Sequence, residues 1–249
     1  MSISVHPNAP DWFREVVATP QKDYFIEVHG AKIHYVRWPD ENSANKPGLL
    51  FVHGGGAHSH WWDFIAPYFM DNYSVAAIDI AGMGDSDHLD EYTLTAHADA
   101  MIAVSDACGF GDDKTIVAHS FGGFCTLKTA ALYADQLKGV VIVDTVLSPQ
   151  FLEQEKDQKE GGFKPRRVYS SVDDAMLRFK LLPAQPCEND YILDYIGRHS
   201  LEPVENGVMW KFDHLFGPKT DTRELKQDIP NIRCNTAVIH GEQSLFFQP

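Results

Sequence analysis

The chain has 249 residues, 44% hydrophobic and 12% aromatic, with no charge-rich or Gly/Ser-rich linker to divide one large core. Its net charge of −14 opposes the clustered Lys and Arg that neutralise phosphates, so no nucleic-acid partner is expected. No run approaches the roughly 20 apolar residues of a membrane span, and the N-terminus has no basic region followed by an apolar stretch, so a cytoplasmic protein with no membrane partner is expected.

In chain order, Tyr24 to Val28 and Lys32 to Trp38 read as a hairpin turned at His29-Gly30. Pro47 to Val52 is an apolar strand ending in His53-Gly54-Gly55-Gly56, whose backbone N–H groups no side chain blocks. Trp61 to Phe69 reads as a helix, Val75 to Asp79 as a strand and Leu94 to Cys108 as a helix. Thr115-Ile116-Val117 then runs into Ala118-His119-Ser120-Phe121-Gly122, and Gly139 to Asp144 is a further buried strand. Apolar strands alternating with helical segments predict an α/β fold with a mostly parallel sheet covered on both faces.

The segment around Ser120 reads as a nucleophile elbow, a strand-to-helix turn that lifts a serine where a substrate can reach it. Small residues are required two positions either side because strand and helix backbones nearly touch, and Ala118 takes the place of the first glycine. Negative charge developing on a substrate oxygen needs two preorganised N–H donors, assigned to Gly55 and to Phe121, the residue after the nucleophile.

With these motifs in this order, and with Ala81-Gly82-Met83-Gly84-Asp85-Ser86 similar to a D-x-x-G-x-G-x-S turn, the chain resembles the α/β-hydrolase superfamily over nearly its whole length. The resemblance implies a core over residues 1–146, a cap inserted over 147–225 and a return to the core over 226–249. Within the cap, Asp173 to Leu182 and Asn189 to Ser200 predict two short helices. Their Met176, Phe179, Tyr191 and Tyr195 either line a substrate pocket or fix the cap to the core. Glu153 to Glu160 reads as a solvated charged stretch, and Gly161-Gly162 as a hinge.

A serine nucleophile needs a base and an acid that orients the base. Much of the superfamily places the acid after the next-to-last strand, here Thr236 to His240, in a G-x-x-D pattern. This chain reads Gly241-Glu242-Gln243-Ser244, so an uncharged Ser244 takes that place and Glu242 comes two residues early. Asp144, at the tip of the preceding strand, matches the position that other branches use, including certain dehalogenases. Asp144 is the favoured acid and Glu242 the alternative. The resemblance places the base on a loop after a last strand, and only nine residues follow His240, so the expectation is a fragment whose catalytic histidine lies beyond Pro249, weakly active and prone to aggregate. Among the histidines present, His240 ends a strand, His119 points inward, His53 precedes the Gly loop, and His58 and His60 face substrate or solvent.

Dehalogenases and epoxide hydrolases of the superfamily attack with a carboxylate, so Ser120 points instead to a serine hydrolase of a small, largely apolar ester acting through an acyl-serine. The alternatives are a C–C bond hydrolase of aromatic ring-cleavage products, with Arg166, Arg167 or Arg178 clamping a carboxylate, and a noncatalytic ligand-binding homologue. No cofactor and no metal are expected. The Gly run lacks dinucleotide spacing, and Cys108, Cys125, Cys187 and Cys234 are scattered with no C-x-x-C pair. Oligomeric state has no sequence signature here.

Overall fold

The computed structural model describes residues 4–39, 45–147, 164–245 and 247. The charged stretch Glu153 to Glu160 and the hinge expected at Gly161-Gly162 lie outside the described residues. Helix α1 (Asp11–Val17) precedes the hairpin of β1 (Lys22–Val28) and β2 (Ala31–Trp38). There follow β3 (Gly48–Val52), β4 (Ser74–Ile78), α2 (Leu94–Ala107), β5 (Lys114–His119), α3 (Phe121–Leu132) and β6 (Leu137–Val143). After β6 come α4 (Val172–Met176), α5 (Asp190–His199), β7 (Leu201–Val204), β8 (Gly207–Trp210), α6 (Phe216–Lys219), α7 (Leu225–Asp228) and β9 (Asn235–Ile239).

Seven strands form one sheet in the order β1-β2-β4-β3-β5-β6-β9, antiparallel at β1-β2 and β2-β4 and parallel from β4 to β9. Every residue of β3 and β4 is buried, as a strand covered on both faces demands. The alternation sorts their side chains into two layers. Leu50, Val52, Ala76 and Ile78 pack with Met101 and Val104 of α2 and Phe124 and Cys125 of α3. Leu49, Phe51, Val75 and Ala77 pack on the other face with Trp62 and Ala66. Helix α2 starts at its N-cap Thr93, whose hydroxyl accepts from Ala96 N–H at 3.0 Å.

Three segments differ from the sequence expectations. The helix expected over Trp61 to Phe69 is two 3-10 turns, Ser59–Trp62 and Ala66–Phe69. Pro67 explains the break, since it has no N–H to bond the carbonyl one turn back and is accommodated only in the first turn of a new helical segment. The helix expected over Asp173 to Leu182 is only Val172–Met176, because Leu177 and Leu182 are 81% and 66% exposed and bury nothing that would extend it. Between α5 and α6 the chain makes an antiparallel β7–β8 hairpin with Asn206 at φ 68°. The Asn206-Gly207 pair was its signal in the sequence.

The segment between β6 and β9 is bound to the rest of the molecule through an aromatic cluster. Phe13 of α1 lies 4.9 Å from the Tyr191 ring and 5.5 Å from the Tyr195 ring. Met176 and Phe179 close on Gly197 of α5, where a Cβ would stand 2.6 Å from Met176 Cε. All four side chains weighed as pocket lining therefore pack one element onto another. Among the described residues, no helix is long and apolar enough to cross a membrane.

Candidate active site

Ser120 stands alone between β5 and α3 with φ 50° and ψ −117°, outside the left-handed helical basin as well as the ordinary ones. Such a conformation costs on the order of 1–3 kcal/mol and persists only where its surroundings fix it. Here the fixing is done by bonds to the backbone of Ser120, two from the main chain and one from a side chain. Ser120 N–H donates to Val143 O, Gly123 N–H donates to Ser120 O, and the Thr145 hydroxyl also donates to Ser120 O, each at 2.9 Å. A Cβ on Gly122 would run into His53 O and come within 2.9 Å of Val52 Cγ1, and one on Gly123 would run into Thr145 Oγ1. The two glycines are thus set by close approach of β3 and of the turn after β6.

The strand ends of β3 and β5 pair in register, Val52 opposite Ala118, which brings the loop from His53 to Gly56 over the elbow. His53 is buried. Its Nε2 accepts from Ile80 N–H at 3.0 Å, so Nδ1 carries the proton and donates to Gly54 O at 2.7 Å. Burial lowers its pKa against the pull of Asp79, and this neutral imidazole serves as a brace for the loop. Gly55 is exposed at the tip. Phe121 opens α3, so its N–H has no carbonyl one turn back and sits at the positive end of the helix dipole. A Cβ on Gly55 would stand 2.9 Å from Phe216 Cζ and 3.5 Å from Phe121 Cβ. The Phe216 and Phe121 rings meet edge to face at 5.1 Å, so α6 walls the two amides with aromatic surface.

Asp144 directly follows β6, whose Val143 pairs with His119. Its φ is 51°, its N–H donates to Ile239 O at 2.8 Å, and its Oδ1 is buried without a hydrogen-bond partner among the described residues. Glu242 is exposed in the turn after β9. The fold therefore brings Asp144 beside Ser120 and leaves Glu242 at the surface. No hydrogen bond of Ser120 Oγ occurs among the described residues. His119 is partly buried next to Asp144, its pKa lowered by burial against the aspartate's charge. His240 is exposed and stacks on Phe247 at 4.5 Å.

His58 contradicts its expected position. It is 2% exposed, and its Nε2 is 3.0 Å from both Ile196 O and Ser200 Oγ. A carbonyl only accepts, so Nε2 carries the proton. Burial, followed by the charge of His60, lowers its pKa well below the ordinary imidazole value. The reason is α5, which the sequence placed in the cap without showing where it docks. His60 is partly buried and contacts Asp63 at 2.9 Å.

Beneath the Gly loop, Asp79 ends β4 with no exposure and gathers Ser59 N–H at 2.5 Å, Asp85 N–H at 2.9 Å and His34 Nδ1 at 2.7 Å. Burial would raise the Asp79 pKa, but the His34 hydrogen bond and charge hold it well below the usual carboxylate value. His34 is raised in turn, with Asp79 outweighing burial. Arg166 is engaged by Glu202 Oε1 at 2.9 Å and Trp210 O at 3.2 Å, and Arg167 lies 4.6 Å over the Tyr169 ring. Thr145 and Phe216 had not been singled out. The apolar stretch around Phe216 gave no periodic signal, and Thr145 is recognisable only once β6 lies next to the elbow.

Residues 47–174, just over half the chain, match a family described as alpha/beta hydrolase fold. A haloalkane dehalogenase of Sphingobium indicum is 31% identical over 142 residues, covering 53% of this chain and 46% of the relative. A pimeloyl-[acyl-carrier protein] methyl ester esterase of Neisseria meningitidis is 28% identical over 113 residues, covering 45% of this chain and 41% of the relative. The chain spans about half the length of the curated relatives it matches. Among solved structures, the thioesterase domain from the curacin biosynthetic pathway superposes with a TM-score of 0.72 at 20% identity, over 92% of this chain and 86% of that domain. That likeness concerns the fold.

Proposed function

The chain belongs to the alpha/beta hydrolase fold family, and from that premise we propose that it works as a serine hydrolase on a small, largely apolar ester, with residues 147–225 as its cap. The observation that carries the reading is Ser120, held at φ 50° by bonds to its backbone at the N-terminus of α3. Strain of this kind gathers at working sites, because ordinary turns have no need of it.

In this reading Ser120 Oγ attacks the ester carbonyl carbon and its proton passes to an imidazole base. The carbonyl oxygen takes the negative charge and is held by the N–H groups of Gly55 and Phe121. Deleting one such donor typically costs about 100- to 1000-fold in rate. Collapse expels the alcohol, and water then cleaves the acyl-Ser120 ester. Asp144 orients the base, for its buried Oδ1 is open to an N–H donor. The Phe121–Phe216 edge-to-face pair favours an apolar acyl group. Of the possible carboxylate clamps, Arg166 is already paired with Glu202, which favours an ester over a dienone acid. Ser120 in the nucleophile position separates this chain from carboxylate-nucleophile chemistry, whatever its likeness to a dehalogenase.

A fluorophosphonate probe followed by peptide mass spectrometry tests this. The expected result is one adduct on Ser120, absent in Ser120→Ala and formed at least about 1000-fold more slowly in Asp144→Asn. An adduct elsewhere, or equal labelling of Ser120→Ala, sinks the reading. The lack of any hydrogen bond to Ser120 Oγ among the described residues favours a second reading, a ligand-binding use of the fold. A folded wild-type protein that takes no label even with free imidazole supplied as a surrogate base would move the assignment there.

A further inference from the structure

Away from Ser120, two histidines and an aspartate from opposite halves of the chain meet where α5 lies against the turn after β3. His60 belongs to the turn Ser59–Trp62, Asp63 caps it, and His199 closes α5. One ligand atom from each lies within 4.8 Å of the other two. The His60 and His199 rings are 4.1 Å apart, and the His58 ring stands 5.8 Å from His60 and 6.2 Å from His199.

Asp63 is 1% exposed, yet its bonding is one-sided. Oδ2 meets three groups, His60 Nδ1 at 2.9 Å, Tyr195 OH at 2.6 Å and Gln21 Nε2 at 3.1 Å. Oδ1 is buried with no hydrogen-bond partner among the described residues. His58 Nδ1 is in the same condition, and since its Nε2 donates to Ile196 O it presents a lone pair. Two buried acceptors without donors, beside two further imidazoles, leave desolvation uncompensated in the protein alone. A cation held by Asp63 Oδ1 would compensate the carboxylate.

We propose that His60, Asp63 and His199 bind a divalent transition metal, Zn²⁺ foremost, with Asp63 ligating through Oδ1, in a site that ties α5 to the turn after β3. Two imidazole nitrogens and one carboxylate oxygen suit Zn²⁺ and its neighbours and not Mg²⁺ or Ca²⁺, which take oxygen ligands. At bond lengths of about 2.0–2.2 Å, tetrahedral ligand atoms stand roughly 3.3–3.6 Å apart. One nitrogen of each imidazole and one oxygen of the Asp63 carboxylate already lie within 4.8 Å of one another, so that a rotation of the carboxylate is needed to present Oδ1. Tyr195 and Gln21 already fix the carboxylate from its other oxygen, as outer partners of metal ligands do. Water would complete the set, since catalytic and open zinc sites keep three protein ligands. The scattered cysteines take no part. The site uses none of the residues assigned to acyl transfer.

The experiment begins with the chelator-treated 249-residue chain, titrated with Co²⁺ while its visible d–d bands are followed, then with Zn²⁺ in competition. One Co²⁺ per chain, displaced by one Zn²⁺, is expected. X-ray absorption of the Zn²⁺ form should give at least two imidazoles and an oxygen with no sulfur, a reading that needs no variant. His199→Gln and His60→Gln should weaken binding beyond the roughly 10- to 100-fold expected for the outer partner in Tyr195→Phe, while His214→Gln leaves it unchanged. Zn²⁺ should raise the melting temperature of the wild type and not of His199→Gln. No one-to-one complex with the wild type, a sulfur-containing shell, or unaltered binding in both folded ligand variants would overturn the proposal.

Discussion

The elbow at Ser120 and the cluster at His60, Asp63 and His199 are built in opposite ways. At the elbow it is the backbone of Ser120 that is held, by Val143 O, Gly123 N–H and the Thr145 hydroxyl, while the serine side chain makes no hydrogen bond among the described residues. At the cluster the backbone is ordinary and side chains hold one another, with Tyr195, Gln21 and His60 converging on a single carboxylate oxygen. A site fixed by backbone tolerates loss of its own side chain without rearranging. One fixed by side chains across two elements depends on those elements staying docked.

The sharpest way to break this contrast is at Ser120. On the proposed mechanism Ser120→Ala should abolish fluorophosphonate labelling, while leaving the melting temperature within a few degrees of wild type. If it unfolds the protein, the serine side chain has a structural role that its geometry does not suggest. Asp79→Asn is the next largest effect and falls on stability, about 3–5 kcal/mol in denaturant unfolding, because it strips a buried partner from His34.

The same pair sets a pH dependence with a definite sign. Asp79 is depressed below 3.8, so its contribution is complete above that value and is lost as pH falls through the folded-state pKa. His34 is raised above 6.5, so its contribution is complete below 6.5 and is lost as pH rises through its folded-state pKa. The two overlap fully between 3.8 and 6.5, where the melting-temperature difference between wild type and Asp79→Asn should be largest. A difference that does not vary with pH would show that the pair is not ionised.

Gly122→Ala comes next. Its methyl group would press on His53 O and Val52, for roughly 1–3 kcal/mol of destabilisation, and should lower any Ser120 labelling by shifting the Gly loop. The smallest effect is the most discriminating. Ser120→Gly should melt higher than Ser120→Ala, by up to about 1 kcal/mol in stability, since glycine relieves the backbone strain that alanine retains. Equal stability would mean that the turn stores no strain.

How much of this was legible follows from the same contrast. The elbow could be read because its mechanical demands fall on five consecutive residues, Ala118 to Gly122, and the sheet because Leu49 to Val52 and Val75 to Ile78 are apolar on both faces. Asp144 was reached only through the resemblance, at the strand-end position that other branches of the superfamily use. The His60-x-x-Asp63 spacing was visible, but His199 joins it only after α5 docks, and nothing local announces that docking. The 3-10 turns at Ser59–Trp62 and Ala66–Phe69 were misread because apolar spacing there was stronger than the one proline that breaks it.

Phe13 carries a consequence for the newly made chain. It is wholly buried against Phe64, Tyr191 and Tyr195, partners that α1 must wait for, the tyrosines following it by roughly 180 residues. At about 5–20 residues per second of synthesis, α1 spends roughly 10–40 s outside the ribosome before Tyr195 exists. During that interval the ring that later anchors α5 is an exposed apolar group on a seven-residue helix too short to persist alone. Helix α1 is therefore made long before its partners and is among the last elements to find its place, and chaperones have a long opportunity to hold it there.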